Sequence, residues 1–154
     1  MEEVLRARAA LSAADTAALP FLHGALRRHF EDYPSTRNGL SRSEHQLLAA
    51  VESGHETFGE VFAAAAGMEE RVFMGDSTCW AILKGLASAR EPLVEIAGAR
   101  QAFSAGVTLT ATGRRVLKCR ADHLSLNGIA RWAGGVELTT GRHYRWDGQV
   151  LIRS

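Results

Sequence analysis

The chain has 154 residues, 46% of them hydrophobic and 23% charged, and a net charge of +1. That composition suits one compact domain with an appendage and excludes disorder, a tandem repeat and a membrane span, which needs about 18 consecutive apolar residues. The start, MEEVLRAR, is acidic and amphipathic, unlike the basic stretch before an apolar core that marks a signal peptide. Cys79 and Cys119 lie far apart and match no metal or redox spacing. The expectation is a cytoplasmic protein with reduced thiols, off the membrane, in which Cys79 is a small buried hydrophobe beside Trp80.

The charge is unevenly spread. Residues 1–99 carry 9 Lys+Arg against 14 Asp+Glu, a net −5, whereas residues 100–154 carry 9 against 3, a net +6. A basic third on an acidic body can face a polyanion, or dock on the acidic part of its own chain or of a partner.

In chain order, VLRARAAL reads as a short helix ending near SAAD. Phe21, Leu22, Ala25, Leu26, His29 and Phe30 form one apolar stripe of a second helix, with Pro20 in its first turn and Pro34 past its end. PSTRNGLS is a turn. Ser41 with Glu44 is a capping box opening a helix that buries Leu47, Leu48 and Val51 and stops at Gly54. Thr57 with Glu60 repeats the box, and Phe58, Val61, Phe62 and Ala65 make the next apolar face, ending at Gly67. Asp76 is expected to cap a third helix that buries Trp80, Leu83, Leu86 and Ala87.

After Pro92 the period changes to that of strands. LVEI and VTLT flank AGARQAFSAG and predict a β-ribbon. Thr112 is then expected to cap a helix over TGRRVLKCRAD with its arginines outward. The C-terminal stretch predicts one hairpin, with Val136 and Leu138 on one arm, Tyr144 and Trp146 on the other, and Thr140-Gly141 at the turn. Alternation puts those aromatics in a core and Arg145 on the opposite face.

Three capped helices, a ribbon and a further helix follow the order of a winged helix-turn-helix. LSRSEHQLLAAVESGHETFGEVFAAA resembles the first two helices of such a domain, and PLVEI…VTLTATGRRVL is similar to the wing and following helix of bacterial regulators of the multiple-antibiotic-resistance type. A second resemblance is closer. STRNGLSRSE, FMGDSTCW, LNGIARWAGGV and YRWD together resemble the C-terminal module of a family of uncharacterised bacterial proteins. It implies that the leading helices correspond to an interdomain linker, and it transfers no function.

The expected fold is therefore α+β, mainly α with small β: an N-terminal helical extension over 1–39, a winged-helix domain over 40–120, and a C-terminal helical turn and β-hairpin over 121–154 packed on it. A winged-helix DNA binder reads the major groove with its third helix and touches the backbone with its wing. Mapped here, Ser77, Thr78 and Lys84 make weak groove contacts, Arg100 and Gln101 make wing contacts, and Arg114 and Arg115 hold backbone. The third helix offers no Arg, Asn or Gln for bidentate base contacts, so low sequence specificity follows. Duplex DNA is one partner. A protein, or a second copy meeting the N-terminal helices, is the alternative.

Signals for catalysis are weak. GxxxxGK[ST], GxGxxG and HExxH are absent, and GDSTC lacks the second glycine of a nucleophile elbow. His45 and His55 do not have ligand spacing. The expectation is a non-enzymatic regulatory protein without metal or cofactor. Arg37, Asn38, Arg131 and Trp132 are the residues that could line a small anion or nucleotide site.

Overall fold

The computed structural model describes residues 19–98 and 102–154. Among them the chain is α+β, with six α-helices and three two-stranded antiparallel hairpins. The helices are α1 Leu22–Phe30, α2 Arg42–Glu52, α3 Phe58–Gly67, α4 Asp76–Ala87, α5 Ala111–Leu117 and α6 His123–Asn127. The hairpins are β1 Val94–Ala97 with β2 Gly106–Leu109, β3 Ala130–Ala133 with β4 Val136–Thr139, and β5 Tyr144–Trp146 with β6 Leu151–Arg153. The helix expected in VLRARAAL lies outside the described residues.

Both capping boxes form. The Ser41 hydroxyl accepts from the Glu44 amide while the Glu44 carboxylate accepts from the Ser41 amide, and Thr57 and Glu60 do the same for α3. Two expected caps are displaced. Gly75 takes the extended dihedrals of the α4 N-cap, so Asp76 enters the first turn, where its Oδ1 accepts from the Ser77 amide at 2.7 Å. Thr110 rather than Thr112 caps α5, because β2 ends at Leu109 and the next hydroxyl serves two purposes. It accepts from the Gly113 amide at 2.9 Å and donates to the Pro92 carbonyl at 2.7 Å. α5 ends at Leu117, and Asp122 caps α6 separately by accepting from the Ser125 amide.

The C-terminal pairing also departs from expectation. Val136 and Leu138 pair with β3, which precedes them, and not with the Tyr144 strand. Gly134 and Gly135 both have positive φ, 56° and 79°, and close a two-residue turn of the kind whose twist suits a hairpin. Tyr144 and Trp146 pair instead with β6.

Two cores result. Leu40, Leu47, Leu48, Phe58, Val61, Leu83, Leu86, Leu93, Val107 and Val116 fill the larger, between α2, α3, α4, α5 and the first ribbon. Cys79 is buried there, and burial, with the Asp76 charge, raises its thiol pKa. The smaller core joins the end of α1 to the last two hairpins, through Tyr33, Leu138, Leu151, Phe30 and Trp146. Phe30 stacks on Trp146 with ring centroids 5.6 Å apart, so the C-terminal aromatics pack inward as alternation suggested.

Residues 34–40 bind the two cores together. Trp146 donates its amide to the Pro34 carbonyl at 2.8 Å and accepts from the Thr36 amide at 2.9 Å. Asn38, buried, donates to the Val116 carbonyl at 3.1 Å, and its own carbonyl accepts from the His123 amide at 2.7 Å. Gly39 must be glycine: its φ is +76°, and a Cβ there would lie 2.9 Å from the Leu124 nitrogen.

Candidate functional site

Of the candidate nucleic-acid contacts, Arg100 and Gln101 lie outside the described residues. Ser77, Thr78 and Lys84 are exposed on α4, and Arg114 and Arg115 on α5. Ser77 and Lys84 are two turns apart and share one flank of α4. Thr78 lies about 100° further round, where with Ala81, Ile82 and Gly85 it lines a cleft. α5 packs on α2 and β2, which carries Arg114 to the end of α2.

At that end Glu52 gathers two of the four cations of the 114–120 run. Lys118 Nζ is 3.0 Å from Glu52 Oε1, and Arg114 Nε is 3.4 Å from Oε2. Arg114 also donates to the Leu109 carbonyl at 3.1 Å. The hydrogen bond from Lys118 is the largest cause holding the Glu52 carboxyl below its ordinary pKa, followed by the charges of Lys118 and Arg114. Arg115 is exposed and makes no ion pair among the described residues.

The same pattern recurs along the basic third. Arg131 on β3 donates to Glu44 Oε1 at 3.0 Å and to the Asp32 carbonyl at 2.9 Å. Arg145 on β5 pairs with Asp122 and donates twice to the Ser35 carbonyl, at 2.8 and 3.1 Å. Burial works against a charged Asp122, but hydrogen bonds from Arg145 and the Ser125 amide outweigh it and hold the carboxyl below its ordinary pKa. On the acidic body, Arg28 bridges Glu69 at 2.7 Å, Asp32 at 2.8 Å and Ser43 at 2.8 Å. Arg42 pairs with Glu31 at 2.6 Å.

Arg37, Asn38, Arg131 and Trp132 do not form a common site. Asn38 is consumed in the join between the cores and Arg131 by Glu44 and Asp32, while Arg37 is exposed. Trp132 is 70% exposed and, as Arg131's neighbour in a strand, points to the opposite face.

The sequence does not predict a further polar cluster, which lines a cleft. A cleft of about 630 Å³ runs between α4 and the C-terminal module, lined by Thr78, Gly85, Glu44, His123, Asn127 and Arg131 among others. Its signal was present, since His123 and Asn127 are one helical turn apart. The sequence predicts a helical turn after residue 121 without giving it a site, and gives Glu44 only a capping role. Among the described residues no group of His, Cys, Asp and Glu is placed to hold a metal ion, and no helix is long and apolar enough to cross a membrane.

Comparison with protein-family models, with curated proteins and with solved structures finds no match to this chain.

Proposed function

We propose that the chain is a non-catalytic winged-helix module that acts by binding a partner protein, a second copy of itself included. The order α2, extended Glu56–Thr57, α3, α4, β1, β2 supports the winged-helix reading. So does the antiparallel bridge between Thr57 and Gly106, which lays a third extended segment beside the ribbon.

The observation that carries the functional reading is the uncovered aromatic pair Phe21 and Phe73. They are 60% and 56% exposed and line one surface groove. The Arg71 guanidinium sits 4.0 Å from the Phe21 ring centroid and that of Arg28 4.8 Å from the Phe73 ring. Val72, next to Phe73, is 67% exposed. Large aromatics beside arginine are enriched in the energetic centres of protein interfaces and unusual as bare surface. A photo-crosslinking residue at position 73 is expected to give one discrete larger adduct, and the same residue at exposed Thr108 none. No adduct from 73, or the same products from both positions, overturns the reading.

Duplex DNA is the second reading, favoured by the exposed flank of Ser77 and Lys84 and by the unpaired Arg115. In it Arg100 and Gln101 make wing contacts, Thr78 adds a weak groove contact, and Arg114 leaves Glu52 for backbone phosphate. Changing Arg100, Arg114 and Arg115 together to Ala would then abolish binding.

A further inference from the structure

From the geometry of the cleft between α4 and the C-terminal module we infer a binding site for a small uncharged ring compound carrying a carbonyl acceptor. This site is separate from the Phe21–Phe73 face and does not depend on it.

The hydrogen-bond chain at His123 fixes what the cleft presents. The Glu91 amide donates to Asn127 Oδ1 at 2.7 Å, and Asn127 Nδ2 donates to the Glu91 carbonyl at 3.1 Å. The main chain of one residue thus sets which way the Asn127 amide faces. Its Nδ2 lies 3.1 Å from His123 Nδ1, so that ring nitrogen accepts and the proton of the neutral ring sits on Nε2. Burial favours the neutral ring, with Glu44 and Asp122 opposing and Arg131 assisting. Nε2–H has no partner among the described residues, which leaves one oriented donor on the cleft wall. Across from it Thr78 adds an exposed hydroxyl.

The charges at the cleft exclude an ion. Arg131 gives one terminal nitrogen to Glu44 at 3.0 Å and the other to the Asp32 carbonyl, while its buried Nε has no hydrogen-bond partner among the described residues. An anionic ligand meets the Glu44 carboxylate and a guanidinium whose two terminal nitrogens are already paired, and a cation meets Arg131 and an N–H donor. Apart from Thr140, the rest of the lining is apolar side chain or glycine, through Ile82, Leu86, Leu124 and Ile129. About 630 Å³ is a usual volume for a small-ligand pocket.

Gly85 keeps the cleft open. It sits inside α4, where glycine is among the poorest helix formers, yet its φ is not positive and a Cβ there would meet nothing within 4 Å. Neither the backbone nor the packing requires it. Its missing side chain leaves room for a ligand to lie against the helix.

The probe is benzamide, observed by amide chemical shifts of the labelled full chain, with benzoate as the charged isostere. Benzamide is expected to give saturable shifts at Gly85, His123 and Asn127 below about 20 mM, a range suited to so small a ligand. Benzoate is expected to bind at least tenfold more weakly. Gly85→Phe fills the cleft and is expected to remove the response while urea unfolding stays cooperative; His123→Phe, which keeps the ring and loses the donor, is expected to weaken binding about tenfold. Absence of saturable shifts at these residues overturns the site. An unchanged response in a folded Gly85→Phe chain overturns its location, and equal binding of benzoate overturns the ligand class.

Discussion

Arg131 reaches across 87 residues of chain to set its Nη1 3.0 Å from the Oε1 of Glu44. Glu44 is also the third residue of a capping box, so one carboxylate closes the first turn of α2 and anchors the C-terminal hairpins to it. Together with the pairing of Lys118 and Arg114 on Glu52, this commits three of the nine cations of residues 100–154 to the acidic body of the same molecule.

Arg131→Met is expected to lower stability by about 2–3 kcal/mol, because it strands a Glu44 carboxylate whose side chain is 11% exposed. Adding Glu44→Gln is expected to cost less than the sum of the two single changes, since the stranded charge is then gone. Urea midpoints of the four chains measure both. Strict additivity would show that the pair is not coupled.

The two glycines Gly113 and Gly85 are expected to respond to alanine in opposite senses. A Cβ at Gly113 would lie 2.0 Å from the Leu93 carbonyl oxygen, a backbone atom that cannot step aside, so Gly113→Ala is expected to destabilise by about 2–3 kcal/mol. Gly85→Ala meets nothing and is expected to stabilise by about 0.5–1 kcal/mol. Equal effects in urea unfolding would contradict the packing described around α5.

Acid is expected to loosen the fold in two separable windows. The folded-state pKa of His123 is lowered, so the stability it brings is complete above the ordinary histidine value and starts to fall below about pH 6.5. Asp122 is also lowered in the folded state, so its contribution holds above the ordinary carboxylate range and is lost below about pH 5. Asp122→Asn keeps an acceptor for the Ser125 amide and removes the charge. Its unfolding free energy should vary less than wild type between pH 5 and 3, and no less than wild type between pH 7.5 and 6, since losing the Asp122 charge further favours the neutral His123 ring. A wild-type slope below pH 5 would contradict the Arg145 pairing.

Releasing the clamp on α5 gives a gain of function. Glu52→Gln removes the partner of Arg114 and Lys118. Non-specific affinity for duplex DNA is expected to rise, adding up to about two phosphate contacts to the salt dependence. No change in anisotropy titrations relative to wild type would show that these cations were already available.

Local chemistry was legible in the sequence where a few neighbouring residues decide it. Ser41 with Glu44, and Thr57 with Glu60, announced two helix starts because a capping box is a reciprocal contact between two residues three apart in sequence. Cores built on Leu47, Phe58 and Leu83 followed from helical spacing. What depended on distant partners was not legible. Val136 and Leu138 alternate like any strand, and only the left-handed pair Gly134 and Gly135 decides that they fold back on β3. The −5 and +6 halves were visible, but the geometry that closes them on each other comes from α5 lying against α2 and from residues 34–40 tying the hairpins to the main core. α1 showed the reverse: its apolar stripe was readable, yet Phe21 and Ala25 are exposed, and no residue of the helix is fully buried.

The most direct test is fluorescence anisotropy of a labelled random duplex titrated with the wild-type chain at ~50 and ~200 mM salt. With Arg131 committed to Glu44, Arg114 and Lys118 to Glu52, and Arg145 to Asp122, the chain is expected to show no saturable binding at micromolar concentration even at the lower salt. Micromolar binding that collapses at the higher salt would contradict this, placing the basic third on phosphate instead of on its own acidic body.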